Sequence, residues 1–206
     1  MFKNISNGWY VYRKNFLRLS VSFCVTAIPI GIAMLSLPRT VEWQFFLGGL
    51  FVLSFLGSAS FNIKLVDSFK SGNTVTNREA LLVIKRNLSR LIELGFLLAA
   101  LIVSGLYLLL RFYNFVVSLT VLAIPVLTVF TLPRLVLERE GLLDSLKSAM
   151  RTSWNNFFDV LVVTMLPGVV VIYLWLIGLW LPVWCFLLPF WVVLITELYL
   201  EIKLAD

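Results

Sequence analysis

Apolar residues fall along this chain in six long blocks, at 19–37, 43–63, 91–110, 113–132, 160–177 and 183–200. Each approaches the roughly 20 residues that a helix needs to cross about 30 Å of hydrocarbon. The last two blocks run together, because no charged residue occurs from Val160 to Thr196, a run of 37 residues. A single helix of that length would measure about 55 Å at about 1.5 Å per residue, so the run has to fold back. Pro182 and Gly178, among Trp175, Trp180 and Trp184, mark the turn, and tryptophan suits a membrane–water interface. Pro38 to Glu42 and Arg111-Phe112 are the equivalent turns earlier in the chain.

The connections on the other side carry a different pattern. Thr76-Asn77-Arg78-Glu79 has the spacing of a capping box, which starts a helix. Leu81, Ile84, Leu88 and Leu91 then recur on one face, with Arg78, Lys85, Arg86 and Ser89 on others. Leu143, Leu146, Met150 and Phe157 make a second stripe, opposed by Asp144, Lys147, Ser148 and Arg151. Ile5, Trp9, Tyr12 and Phe16 make a third, against Lys3, Arg13 and Lys14. Amphipathic helices of this kind lie at interfaces. The pattern predicts an all-α polytopic membrane protein with six transmembrane helices as three hairpins, each preceded by a cytoplasmic-face amphipathic helix, in a single domain, 1–206. Arg13-Lys14-Asn15-Phe16-Leu17-Arg18-Leu19 aligns with Lys85-Arg86-Asn87-Leu88-Ser89-Arg90-Leu91, and Trp154 to Val160 takes the same place a third time. That suggests internal repeats over 4–67, 76–138 and 142–203.

Charge orients this arrangement. Of 17 Lys and Arg residues, only Arg39 and Arg111 lie on the side of the short turns. The positive-inside rule then places both termini in the cytoplasm and the chain in the cell membrane. The first block is long enough to span and has no small-residue cleavage site after it, so it is expected to be a retained helix rather than a signal peptide. Hydrophobic residues make up 60% of the chain and charged ones 14%, against roughly 25% charged in soluble domains. The net charge of +6 reads as attraction to an anionic leaflet, not as nucleic-acid binding, because the basic residues flank apolar blocks. Lys14, Arg18, Lys85, Arg86, Arg90 and Arg151 are expected to form a basic collar at headgroup depth.

Candidate chemistry is sparse. Histidine is absent, which removes Ser–His catalysis, histidine zinc sites and histidine-ligated haem. No phosphate-cradling Gly-x-x-x-x-Gly-Lys-Ser/Thr loop occurs. Glu138, Glu140 and Asp144 cluster after the fourth block and are expected to cap a helix start and balance nearby arginines. Glu93 and Glu197 lie near block ends, within reach of an interface. Cys24 and Cys185 are expected near opposite membrane faces as free thiols. Pro29, Pro125, Pro167 and Pro189 fall inside blocks, where proline kinks helices. Gly57-Ser58-Ala59-Ser60 is a small-residue surface for close helix packing, within the chain or against a partner protein. No cofactor or metal site and no enzymatic activity are expected.

One stretch resembles a known family. Leu132-Pro133-Arg134-Leu135-Val136-Leu137-Glu138-Arg139-Glu140-Gly141-Leu142-Leu143-Asp144-Ser145-Leu146-Lys147, continuing to Asn155-Asn156-Phe157-Phe158, is similar to the membrane-domain family attached to some glycerophosphodiester phosphodiesterases and found as stand-alone bacterial and archaeal proteins. Ala149-Met150 stands where that family usually has Ser-Trp. The resemblance implies a six-helix membrane module and brings no phosphodiesterase chemistry. The expected function is a non-catalytic integral membrane module organising anionic lipid or a partner protein at the cytoplasmic face. The alternative is a transporter or channel component for a neutral or amphipathic solute.

Overall fold

The computed structural model describes residues 2–36, 40–73, 75–112, 123–138, 140–179 and 182–205. Residues 37–39 and 180–181 of the expected turns, and 113–122 of the fourth block, lie outside them. The protein is all-helical, with no strand among the described residues. In chain order come α1 (Phe2–Ser36), α2 (Val41–Lys70), α3 (Asn77–Arg86), α4 (Leu88–Phe112), α5 (Thr131–Leu137), α6 (Leu142–Asn155) and α7 (Phe157–Leu176). A π-helical turn, Val183–Leu187, then leads into α8 (Leu188–Ala205). Two stretches, Phe46–Lys70 and Val183–Leu204, are long and apolar enough to cross a membrane.

Three asparagines divide polar from apolar helix. Asn15 interrupts α1 with φ −112° and ψ 15°. Asn87 separates α3 from α4 with φ −103° and ψ 9°. Asn156 separates α6 from α7 with φ −116° and ψ 32°. In each case the side-chain amide donates to the carbonyl four residues back, Val11, Val83 or Thr152, at 3.1 Å. The backbone N–H groups of Asn87 and Asn156 reach the same two carbonyls. A side chain that bonds its own helix in this way competes with helix continuation. The sparsely populated bridge region of φ/ψ then turns the chain.

Other boundaries have equally local causes. Thr76 and Glu79 form both halves of a capping box at the start of α3. α2 ends in a Schellman motif: Asn73 N–H bonds Ser68 O at 3.0 Å and Gly72 N–H bonds Phe69 O at 3.3 Å. Gly72 has φ +72°, which a side chain would disfavour. After α7, Gly178 takes φ +85° and Leu179 N–H bonds Leu174 O at 3.0 Å. The chain does fold back there, since Trp191 Nε1–H on α8 reaches Val163 O on α7 at 3.2 Å.

The core is built around α1, which packs against both α2 and α8. Against α2 the contacts are polar as well as apolar. Asn62 accepts from Ser22 Oγ at 3.0 Å and donates to Leu19 O at 3.2 Å, and Ser58 Oγ donates to Ser22 O at 3.0 Å. Ser58, Ala59 and Ser60 are buried within the chain, and Gly57 is half-buried with open space beside it. Against α8 the helix runs antiparallel, with Tyr12 on Phe190, Phe16 on Phe186 and Phe23 on Trp184. A Cβ on Gly8 would come within 2.6 Å of Leu194 Cδ2, so the backbones approach closely there. Tyr12 thus buries its ring on α8 and Phe16 stacks on the π-helical turn before it, where the sequence placed that segment flat on an interface.

One further expectation is corrected. Cys24 and Cys185 are neighbours, not residents of opposite ends, and both are free. The reason is Trp184, whose fully buried ring sits between Phe23, Phe51 and Phe55 while its Nε1–H bonds Phe23 O at 2.9 Å. That anchor starts the last helix beside Phe23, well along α1, instead of beside its far end. On α6 the buried face is Ser145, Ala149 and Ser153. Leu143 and Met150, of the stripe expected at an interface, are exposed.

Trp184→Ala is expected to cost about 3–5 kcal/mol, the usual range for truncating a buried tryptophan. Trp184→Phe, which keeps a ring but loses the bond to Phe23 O, should fall between that variant and wild type. Denaturant unfolding in detergent, followed by circular dichroism, checks the order.

Candidate functional site

The six residues expected to form a collar are distributed by the three asparagine breaks. Lys14, just before Asn15, lies over the rings of Tyr10 and Phe69 at 5.7 and 5.3 Å. Arg18, one turn after Asn15, is exposed. Lys85 and Arg86 occupy the last turn of α3 and are exposed, and Arg90 follows one turn into α4, half-buried. Arg151 is exposed on α6, where it shares a polar hollow with Arg134. The structure therefore brings Arg18 to the α3 side of the bundle and sets Arg151 apart, beside α5.

Arg18 lines a groove of about 520 Å³ between α1, α2 and α3. Leu17, Val21, Val25, Phe61, Leu81 and Ile84 supply its apolar surface. Hydroxyls of Ser22, Thr26, Ser54 and Ser58 also line it, and Asn77 joins Arg18 as the polar residue from α3. Ser22, Thr26 and Ser58 are tied to the helices themselves, through Ser22 to Leu19 O at 2.8 Å and Thr26 to Phe23 O at 2.9 Å. What is left is a mainly apolar groove with Arg18, Ser54 and Asn77 among its lining residues.

A second space, of about 200 Å³, lies among α2, α4, α5, α7 and α8. It is largely apolar, with Pro125, Pro133 and four threonines in its lining. Thr128 and Thr196 bond carbonyls four residues back, at 2.8 and 2.7 Å. Thr131 and Thr164 are buried, and their hydroxyls have no partner among the described residues.

Buried charge concentrates elsewhere, and it was not found from sequence. Glu197, read as reaching an interface, is fully buried. Lys70 Nζ forms an ion pair with its Oε2 at 2.7 Å, and neither carboxylate oxygen meets hydrogen-bond geometry with a donor among the described residues. Two residues along α8 from Glu197, Tyr199 OH donates to Glu138, which also accepts from Arg134 Nη1 at 2.9 Å and from Lys203 Nζ at 3.0 Å. Burial pushes the Glu138 carboxyl up, but the bonds from Tyr199 and Lys203 and the Arg134 charge outweigh it and hold the group below its ordinary value. Arg134 also reaches Thr152 Oγ1 at 3.0 Å and lies 3.8 Å from Glu140. Glu138 and Glu140 thus balance an arginine, while Asp144 lies in the first turn of α6. Among the described residues no cluster of Cys, Asp and Glu has the arrangement of a metal site.

No family model, curated protein or solved structure matches the chain. The residues and geometry of the chain itself carry the functional argument.

Lys70→Met leaves Glu197 as an uncompensated buried charge and is expected to destabilise the fold by about 3–5 kcal/mol. The double variant K70M/E197L removes both charges and should recover most of that loss. Unfolding midpoints of the two variants check this. Equal destabilisation by the single and double variants would mean that the pair is not coupled.

Proposed function

We propose that the chain is a multi-pass protein of the cytoplasmic membrane that organises anionic lipid at its cytoplasmic face without catalysing a reaction. Its six apolar blocks would form three hairpins with both termini inside, each led by an amphipathic helix that ends at Asn15, Asn87 or Asn156. Three features support this reading. The first is the one-sided distribution of Lys and Arg. The second is a line of exposed apolar residues along α1, Leu17, Val21, Val25, Ile28 and Ile32, which water would not tolerate as a continuous strip. The third is the repeated asparagine geometry, which supports treating the hairpins as repeats.

The observation that carries the lipid reading is the groove beside Arg18. Its walls suit an acyl chain, and a cation among them suits an acidic headgroup. Lys85, Arg86 and Arg90 follow α3 around the Asn87 break and would add to the same attraction. Of the Gly57 to Ser60 surface, Gly57 and Ser58 border this groove, where a protein partner would compete with lipid.

The second reading, passage of a neutral or amphipathic solute, is favoured by the threonine-lined space. Thr131 and Thr164 hold hydroxyls there that a solute would satisfy, beside Pro125 and Pro133. Its lining is mainly apolar and it holds no ionisable group, so the lipid reading is preferred.

Native mass spectrometry of the protein extracted with and without acidic phospholipid tests this. A basic side chain near an anionic surface contributes about 1 kcal/mol, so Arg18→Gln should lower retained acidic lipid about five-fold. K85Q/R86Q/R90Q should lower it further with the helical content unchanged. Wild-type retention in both variants would remove the basis of the proposal.

A further inference from the structure

We propose that the hollow between α5 and α6 is a binding site for a phosphate group. It measures about 390 Å³ and is lined by Arg134, Ser148, Arg151, Thr152, Asn155 and Asn156, every one of them polar. Ser148, Arg151, Thr152 and Asn155 follow the i, i+3, i+4, i+7 spacing that puts them on one face of α6. Arg134 enters from α5, held by Glu138 at 2.9 Å through Nη1 and by Thr152 at 3.0 Å through Nη2. Its Nε is buried without a hydrogen-bond partner among the described residues. Asn156 is fixed by its own bond to Thr152 O at 3.1 Å. Two arginines, two hydroxyls and a terminal amide therefore converge on ground already organised before anything binds.

The local charge favours an anion. Glu138 is engaged by Arg134, Tyr199 and Lys203, and Glu140 lies 3.8 Å from Arg134. Arg151 has no ion-pair or hydrogen-bond partner among the described residues, so its positive charge is the one left uncompensated at the hollow. Planar guanidinium forks match the several acceptor oxygens of phosphate better than a single carboxylate.

The position on α6 points to a lipid phosphate before a soluble one. Leu143, Met150 and Trp154 form an exposed apolar stripe on the same helix, continued by Phe158, and Leu143 and Phe158 are 78% and 81% exposed. If that stripe rests in a membrane surface, Arg151 beside it lies at headgroup level. The site shares no lining residue with the groove at Arg18. It rests on the same membrane reading through Arg151, yet each of the two sites stands or falls alone.

The full-length protein in nanodiscs of phosphatidylcholine, with or without phosphatidic acid, supplies one arm of the test. The protein in detergent titrated with inorganic phosphate supplies the other. Retained phosphatidic acid, read by native mass spectrometry, should fall about five-fold in Arg151→Gln. It should also fall in S148A/N155A, whose exposed or half-buried side chains leave the fold intact. The further loss on adding Arg18→Gln should be independent of both. Phosphate binding in detergent that is lost in Arg151→Gln, without any effect on lipid, would keep the site and assign it a soluble phosphate. Wild-type behaviour of Arg151→Gln and S148A/N155A in both arms would overturn the proposal. An effect of Arg18→Gln alone would overturn it while leaving the groove standing, and an effect of Arg151→Gln alone would do the reverse.

Discussion

An asparagine side chain bonding the carbonyl four residues behind it sets the plan of this protein. At Asn15, Asn87 and Asn156 the bond has the same length, 3.1 Å. The backbone at each takes nearly the same turn, with φ between −103° and −116°. Each break divides a segment carrying Lys or Arg from one that is almost wholly apolar. A continuous helix would have to carry its charged turns in line with its apolar ones. The break lets the two parts take separate directions, and so lets one part meet water or headgroups while the other is buried or solvated by lipid.

Between the helices, polar groups are paired in a way that low dielectric demands. Ser22, Ser58 and Asn62 bond across α1 and α2, and Trp184 and Tyr12 bond α1 and α8 carbonyls at 2.9 Å. Such bonds fix which helix faces which, because the alternative leaves a polar group unsatisfied. At one end the same logic extends to charge, with Lys70 against Glu197 and Glu138 shared by Arg134, Tyr199 and Lys203. The exceptions are informative. Among them, the hydroxyls of Thr131 and Thr164 and Nε of Arg134 border spaces, while the hydroxyls of Ser145 and Ser153 lie on the packed face of α6.

The plan was legible in the sequence where its cause is local. The capping box at Thr76 and Glu79, the fold-back after Gly178 and the equivalence of the three asparagines all follow from residues within a turn or two of one another. What depended on how far one helix slides along another was not legible. Block positions say where a helix starts, not what it starts beside, so Trp184 settling against Phe23 brought Cys24 and Cys185 together unforeseen. The Lys70–Glu197 pair joins residues remote in sequence and leaves no periodic mark. On α6 the stripe of large residues, read as an interfacial face, did not show which face packs against α5. Where apolar solvent is available, Leu143 and Met150 can face it, and small residues such as Ala149 let α5 and α6 approach. Of the candidate site, the sequence offered six basic residues as one collar, whereas the structure divides Arg18 and Arg151 between a groove and a hollow that depend on three-dimensional neighbours.

The central claim is that the polar connections all lie on one side of a membrane and the short turns on the other. Single cysteines at the exposed positions Thr40, Asn73 and Lys147, in a background lacking Cys24 and Cys185, measure this directly with a membrane-impermeant maleimide. In sealed vesicles of known orientation, the account predicts labelling at Thr40 from the outer side only, and at Asn73 and Lys147 from the cytoplasmic side only. Labelling of Asn73 and Lys147 from opposite sides, or of either from the outer side, would contradict it.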